Sequence, residues 1–186
     1  MYKRNGELVI RQLLEDDRFL LAKWLSDPKV LQYYEGRDRP LDMEQVIEDF
    51  FGDPGEEIRC LIEYKQEPIG YVQSYPISEE ERRLYGYDDT TEIIYGMDQF
   101  IGETSFWNKG IGTQLVETMM DYLLNVKCVD RIVMDPQAWN ERAIRCYEKC
   151  GFTKIKLLPH HEWHEGAYRD CWLIEFDRGR STASNF

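Results

Sequence analysis

Two segments that carry glycines at helix ends, separated by one buried strand, constrain the fold of this chain most. Trp107-Asn108-Lys109-Gly110-Ile111-Gly112-Thr113 leads into an amphipathic pattern that predicts a helix from Gly110 to about Asn125. The apolar run from Arg131 to Asp135 predicts a buried strand. A second helix is predicted from about Asn140 to Cys150, with Gly151 as its left-handed cap. This alternation is typical of an α/β fold with a mixed sheet.

The glycines of the first segment also bear on function. Gly110 and Gly112 let the backbone approach a ligand closely, and the helix that follows presents unpaired N–H groups and a positive dipole end. These properties suit a pyrophosphate. A Gly-x-Gly before an amphipathic helix also occurs as a close-packed turn, so this segment alone does not decide between the two.

Helices and strands are predicted over the rest of the chain as well. Asp16 to Ser26 and about Asp42 to Phe51 have helical apolar spacing, with Asp42 as a candidate cap. Glu79 to Thr90 is charged and turn-rich, which predicts a loop. The remaining predicted strands are Glu7–Arg11, Ile58–Tyr64, Gly70–Ser78, Glu92–Phe100, Phe152–Leu158 and Arg169–Asp177, the last two flanking a histidine-rich loop.

Length and cysteine content predict one cytoplasmic domain. The chain has 186 residues, and we expect the domain to span residues 1–178 and residues 179–186 to form a flexible tail. Its five cysteines are odd in number and contain no Cys-x-x-Cys pair, which favours reduced thiols. We find neither a signal-peptide pattern nor an apolar run long enough to span a bilayer, so a membrane partner is not expected.

The charge of the chain bears on its partners. It has 23 basic and 35 acidic residues, a formal net charge of −12. This balance argues against nucleic acid as a partner and favours cationic ligands, which the protein's field would attract. The alternative is that the acidity only keeps the protein soluble.

The two glycine-bearing segments together resemble the acyl-CoA site of the GNAT superfamily of N-acetyltransferases. Three further segments are similar to the aminoglycoside 6'-N-acetyltransferases of that superfamily: Glu67–Tyr75, Tyr95–Glu103 and Arg142–Lys149. The resemblance extends from about Leu8 to Phe176. It implies a single-domain α/β fold with a mixed central β-sheet flanked by α-helices.

The resemblance also implies acetyl-CoA as cosubstrate and an aminoglycoside as acceptor, acetylated directly at its 6'-amino group, with antibiotic resistance as the result. The implied acetyl-CoA residues are Phe100, Ile101, Trp107, Lys109, Gly110, Ile111, Gly112, Thr113, Asn140, Ala143, Tyr147 and Lys149. The implied acceptor residues are Trp24, Tyr71, Gln73, Tyr75, Asp98 and Asp135. The superfamily usually has Gln or Arg where this chain has Trp107, so we expect Lys109 and backbone N–H groups to bind more of the pyrophosphate.

Asp98 is the candidate catalytic base. An alkylammonium has a pKa near ~10, and a nearby carboxylate both attracts the cation and accepts its proton. Asp98 interrupts an apolar strand pattern, where a carboxylate is costly unless it is paired or faces a wet cleft. A structural acid that caps backbone N–H groups is the alternative.

Tyr147 is the second catalytic candidate. The resemblance implies that it protonates the departing thiolate, and the alternative is a core tyrosine that packs on the acyl chain. Backbone N–H groups around Phe100 and Ile101 are candidates for the oxyanion site, because fixed donors suit a developing charge.

Several of the other candidates have structural alternatives. Asp135 precedes Pro136 and is also a typical turn former, and Trp24 has the helical spacing of a core residue. His160, His161 and His164 are close enough in sequence to suggest a metal site. We expect no metal, because no cysteine or carboxylate set completes the site, and favour a surface loop beside the acceptor pocket.

Other functions remain open on the same scaffold. The enzyme alternatives are acetylation of a protein N-terminus, a lysine or a polyamine, and the other alternative is a non-catalytic acyl-CoA-binding module. The presence of Asp98 and Tyr147 favours catalysis. The sequence does not distinguish a monomer from a homodimer.

Overall fold

A computed structural model describes residues 3–179 of the chain. Its eight strands form one mixed sheet in the order β1-β2-β3-β4-β5-β6-β8-β7. The strands are β1 (Lys3–Asn5), β2 (Leu8–Gln12), β3 (Ile58–Tyr64), β4 (Glu67–Pro76), β5 (Ile94–Ile101), β6 (Arg131–Met134), β7 (Thr153–His164) and β8 (Ala167–Asp177).

Helices flank this sheet, as expected for an α/β fold. Within residues 3–179 they are α1 (Arg18–Trp24), α2 (Pro28–Leu31), α3 (Met43–Phe51), α4 (Glu79–Tyr85), α5 (Ile111–Asn125) and α6 (Glu141–Lys149). Asp42 caps α3 by accepting a hydrogen bond from Gln45 N, and Gly151, with φ +93°, follows α6 in the left-handed conformation. Both capping predictions are confirmed.

The two faces of the sheet carry separate cores. Cys60 and Ile62 of β3 belong to the same buried cluster as Leu115 and Met119 of α5. The residue between them on the strand, Leu61, packs instead with the buried residues of α1 and α3. Successive strand residues point to opposite faces, so helices cover the sheet on both sides.

The sheet opens between β5 and β6, and this opening positions the site. The two strands are parallel and pair only from Ile94↔Arg131 to Gly96↔Val133. Beyond Gly96, β5 continues to Ile101, whereas β6 ends at Met134. Ligands of α/β sheets bind in such openings at the carboxyl ends of parallel strands. The two strands are therefore no longer paired where β5 ends at Ile101 and β6 ends at Met134.

Two predictions about local structure are wrong. The segment Glu79 to Thr90, expected to be a loop, contains α4, because Ser78 and Glu81 form a capping box and Gly86 ends the helix at φ +89°. The histidine-rich loop is part of β7, which pairs with β8 up to His164↔Ala167.

Other elements were missed or lie outside the described residues. The short β1 and α2 have too few residues to produce a periodic pattern. Of the predicted tail, residues 180–186 lie outside the described part of the chain.

Candidate active site

A cavity of about 800 Å³ lies where β5 and β6 separate. Its walls are formed by the ends of β4, β5 and β6, the first turns of α5, α6 along its length, the residues after α2, and β7. The predicted site residues that line it are Gln73, Tyr75, Asp98, Phe100, Ile101, Trp107, Gly110, Gly112, Thr113, Asp135, Asn140, Ala143, Tyr147 and Lys149. Most of the predicted coenzyme and acceptor residues therefore border one space.

One part of this cavity is acidic. Glu35, Asp98, Asp135 and Glu162 line it, and these four residues are here termed the acidic lobe. They come from the segment after α2, from β5, from the end of β6 and from β7. Carboxylates grouped around a partly enclosed space attract cations more strongly than the same charges spread over a surface.

Asp98 is held in place by β4. Its Oδ2 accepts hydrogen bonds from Gln73 Nε2 at 3.1 Å and from Tyr75 Oη at 2.9 Å. Burial raises the pKa of Asp98 to about 6; the nearby Asp135 carboxylate adds to the rise, whereas the two hydrogen bonds oppose it. The side chain is therefore mainly ionised at neutral pH and is a stronger proton acceptor than an ordinary carboxylate.

Asp135 forms a second hydrogen-bonded group. Its Oδ2 accepts from Tyr85 Oη at 3.1 Å and lies 2.7 Å from His161 Nε2. The hydrogen bond to Asp135 raises the pKa of His161, although burial opposes the rise. The turn role considered for Asp135 does not account for these contacts, which link β6, α4 and β7.

Tyr147 points its hydroxyl towards Gln99. The Gln99 amide Nε2 donates to Tyr147 Oη at 2.6 Å, which leaves the phenolic hydrogen free to be donated elsewhere. Burial raises the pKa of Tyr147, so the phenol keeps its proton at neutral pH. Gln99 Oε1 is buried without a hydrogen-bond partner among residues 3–179.

The start of α5 has the geometry expected of an anion site. Gly110 adopts φ +80°, a left-handed conformation that favours glycine, directly before the 15-residue helix. A Cβ on Gly112 would come no closer than 3.5 Å to Cys146 Sγ, an ordinary contact. The protein itself therefore has room for a side chain at Gly112.

Lys109 lies outside the lining of the cavity. Its Nζ lies 5.6 Å from the centre of the Phe106 ring. Arg142 is one of the cations that line this wall, and its guanidinium lies 4.3 Å from the ring centres of both Tyr33 and Trp107. Trp107 is fixed in turn by donating its indole N–H to Ile101 O at 2.7 Å.

Three other predicted site residues belong to the core. Trp24 is 1% exposed, because α1 buries this side chain against the sheet. Its ring packs against Gly102, and its indole N–H donates to Glu103. Tyr71 is also buried, and its hydroxyl donates to Gln73 Oε1 at 2.9 Å. It thereby fixes the amide of Gln73, which in turn donates to Asp98. Ile111 is buried in the cluster that α5 forms with the sheet. None of the three lines the cavity.

The structure adds lining residues that the sequence patterns did not single out. They include Tyr33, Tyr34, Glu35, Gln99, Trp139, Arg142 and Glu162, together with His161, which was considered for a metal and, as the favoured interpretation, as part of a surface loop beside the acceptor pocket. Tyr33, Tyr34 and Glu35 stand directly before Gly36. That glycine is the sequence signal that could have indicated a surface turn at these three residues.

Neither a metal site nor a membrane span is found in the described part of the chain. In residues 3–179, no three His, Cys, Asp or Glu side chains are grouped so that they could hold a metal ion. None of the helices in these residues is long and apolar enough to cross a lipid bilayer.

Comparison with known proteins assigns the family. The Acetyltransferase (GNAT) domain family matches residues 13–159. The chain belongs to the GNAT acetyltransferase family. Aminoglycoside N(6')-acetyltransferase type 1 of Klebsiella pneumoniae is 31% identical over 153 residues, which are 81% of this chain and 76% of that protein.

Solved structures of GNAT proteins agree with this fold. Aminoglycoside acetyltransferase AAC(6')-Ib in complex with ribostamycin and coenzyme A has a TM-score of 0.76 and 25% identity, and the match covers 97% of this chain and 99% of that one. Spermidine N-acetyltransferase from Vibrio cholerae, in complex with coenzyme A and spermine, has a TM-score of 0.75 and 20% identity, with 96% and 99% covered. The second likeness shows the shared GNAT fold alone.

Proposed function

We propose that this GNAT protein transfers the acetyl group of acetyl-CoA to the 6'-amino group of aminoglycoside antibiotics, and so confers resistance in the cytoplasm. One observation carries the proposal: the acidic lobe and the glycine-bearing start of α5 line the same cavity. A polycationic acceptor and an anionic coenzyme need surroundings of opposite charge, and this space offers both. The identity to an aminoglycoside N(6')-acetyltransferase supports the choice of acceptor.

Acetyl-CoA fits the part of the cavity outside the acidic lobe. The N–H groups of the first turn of α5 suit its pyrophosphate, and Arg142, Arg145 and Lys149 add positive charge to the wall. Beyond Gly96, β6 no longer pairs with β5, so backbone donors on that side of β5 remain for the pantetheine arm and the thioester oxygen. The unpartnered Gln99 Oε1 offers an acceptor for a ligand N–H group.

The bound thioester would supply an activated acetyl group, and the residues of the chain would manage charge and protons. Asp98 would attract the acceptor ammonium and take its proton, with Gln73 and Tyr75 fixing the carboxylate. Tyr147 would donate its proton to the departing thiolate, because Gln99 leaves the phenolic hydrogen free, and the second proton that the acceptor nitrogen loses would restore the phenol. Direct transfer needs no covalent intermediate with the enzyme.

The test compares acceptors under one condition. Release of coenzyme A from acetyl-CoA is measured with kanamycin, spermidine and a peptide with a free N-terminus, for the wild type and for Asp98→Asn. We expect kanamycin to give by far the highest kcat/KM, and Asp98→Asn to lose most of it.

The other outcomes of this assay would favour the alternative functions. If spermidine or the peptide were turned over as efficiently as kanamycin, the acceptor assignment would be wrong although the family assignment stands. If acetyl-CoA bound without turnover of any acceptor, the protein would be a non-catalytic acyl-CoA-binding module.

A further inference from the structure

An irregularity in β7 directs a histidine at the acidic lobe. Leu158 pairs with Cys171 and Glu162 with Arg169, so Pro159, His160 and His161 together lie opposite the single residue 170. His160 has φ +50°, and its N–H donates to Asp170 Oδ1 at 2.9 Å, which fixes the bulge. Bulges change the direction in which a strand's side chains point and are frequent beside active sites.

The result is a difference between two adjacent histidines. His161 lines the cavity and contacts Asp135, whereas His160 is exposed and does not line it. The His161 side chain keeps 22% of its surface exposed and that of Asp135 keeps 33%, so both remain open to a ligand and to protons. Among the described lining residues, His161 is the only histidine.

The charged groups around His161 all favour its protonated form. Asp135 approaches from the end of β6, Glu81 and Tyr85 from α4, and Glu162 from the same strand. The three carboxylates raise the pKa of His161, and the burial that opposes them is a smaller effect than the hydrogen bond to Asp135. The imidazole therefore keeps its proton to a higher pH than an unperturbed histidine does.

Protonation of His161 competes with a cationic acceptor. When the imidazole is protonated, it forms an ion pair with Asp135 and cancels the charge of that carboxylate. When it is neutral, Asp135 presents a full negative charge to the cavity while Tyr85 and the ring N–H still hold it in place. The imidazolium of His161 and an ammonium group of the acceptor therefore compete for the negative charge of Asp135.

We propose that His161 sets the pH range in which the acidic lobe binds its acceptor: the imidazolium excludes an acceptor ammonium from Asp135, and the neutral imidazole admits it. The inference rests on the proposed function in that the acceptor is taken to be a polycation. It adds a residue of β7 that controls acceptor affinity without taking part in acetyl transfer.

Calorimetric titration of kanamycin tests this without turnover. The proteins are the wild type, His161→Gln and the matched control His160→Gln, each at about pH 5.5 and about pH 8, the range over which an imidazole titrates. A glutamine amide keeps an N–H donor for Asp135 but carries no charge. Changes in the charge of kanamycin itself, and protonation of Asp98, whose pKa is about 6, affect all three proteins alike, so only the difference between the variants reports on His161.

We expect His161→Gln to bind kanamycin about tenfold more tightly than the wild type at acid pH, the effect of one partly buried ion pair, and equally tightly at the higher pH. His160→Gln should follow the wild type at both. In NMR titrations, Asp135→Asn and saturating kanamycin should each lower the pKa of His161, because linkage between two ligands is reciprocal.

Binding of kanamycin tests the role of His161, whereas acetylation of kanamycin tests the proposed function. If His161→Gln kept the pH dependence of the wild type, or bound kanamycin more weakly at both pH values, His161 would be only structural and the inference would be wrong. Kanamycin that bound with the expected pH dependence but was not acetylated would contradict the proposed function alone. No binding at either pH would overturn both.

Discussion

Asp98 lies in a position that favours activity over stability. Its carboxylate is partly buried and has only neutral hydrogen-bond donors, Gln73 Nε2 and Tyr75 Oη, as described partners. A cation that entered the acidic lobe would supply the missing positive charge. The ionised form of Asp98 is thus unfavourable in the folded protein, and binding of an ammonium group would stabilise it.

Replacing Asp98 with Asn should therefore separate chemistry from binding. The change keeps the shape of the side chain but removes its charge and its ability to accept a proton, so kcat should fall by about 100-fold or more, with little change in acetyl-CoA affinity. In the wild type, the rate should also fall as the pH drops through about 6, where Asp98 becomes protonated. Stopped assays of coenzyme A release measure both effects.

A fully active Asp98→Asn enzyme would make Asp98 a structural acid and would move the role of base elsewhere in the acidic lobe. Tyr75→Phe is a useful companion, because it removes one donor to Asp98 and leaves the carboxylate. It should lower kcat much less than Asp98→Asn does.

The Asp98→Asn variant should also be more stable than the wild type. Because the folded-state pKa of Asp98 rises from 3.8 to about 6, ionisation at neutral pH costs the folded protein roughly 3 kcal/mol. The cost is absent below the unfolded pKa, where the carboxyl is protonated in both states, and is complete above about pH 6. Urea unfolding should show Asp98→Asn stabilised at pH 7, with the gain vanishing at about pH 3. A less stable variant at pH 7 would contradict this.

The proposed binding of acetyl-CoA depends on the start of α5. A methyl group at Gly112 would meet only Cys146 Sγ, at 3.5 Å, so Gly112→Ala should fold normally. In the proposed coenzyme site, the same methyl group would hold the pyrophosphate away from the helix backbone, so acetyl-CoA affinity should fall at least about tenfold, roughly 1.4 kcal/mol. Calorimetry measures the affinity, and thermal unfolding checks the fold. Unchanged affinity in a folded variant would remove this turn from the coenzyme site.

The elements with strong local signals were predictable from the sequence. The start and end of α5, the Asp42 cap of α3 and Gly151 after α6 combine apolar periodicity with side chains or glycines that mark helix ends. The helix α4 was not predicted, because its charged sequence lacks an apolar stripe and only the Ser78–Glu81 capping box marks it.

The site was only partly predictable for a related reason. Asp98 and Tyr147 stand in motifs, whereas Glu35 and His161 reach the cavity through tertiary contacts that no local pattern encodes. Trp24 has the same sequence features whether it lines a pocket or the core, and only packing against Gly102 distinguishes them.

On the scale of the whole molecule, the net charge of −12 should assist capture of a polycation. Salt screens such attraction, with a Debye length of about 10 Å at 0.1 M. The KM for kanamycin should therefore rise clearly with ionic strength. The KM for acetyl-CoA, an anion repelled by the overall charge, should not rise in parallel. Steady-state kinetics over a salt series would refute the electrostatic account if both values changed alike.

The most direct test of the central claim locates the transferred acetyl group. Kanamycin is incubated with the protein and acetyl-CoA, and mass spectrometry and NMR assign the position of the added acetyl. The account predicts one acetyl on the 6'-nitrogen and no product from a matched aminoglycoside that has a hydroxyl at that position. Acetylation of a different amine, or equal modification of the 6'-hydroxyl compound, would contradict it.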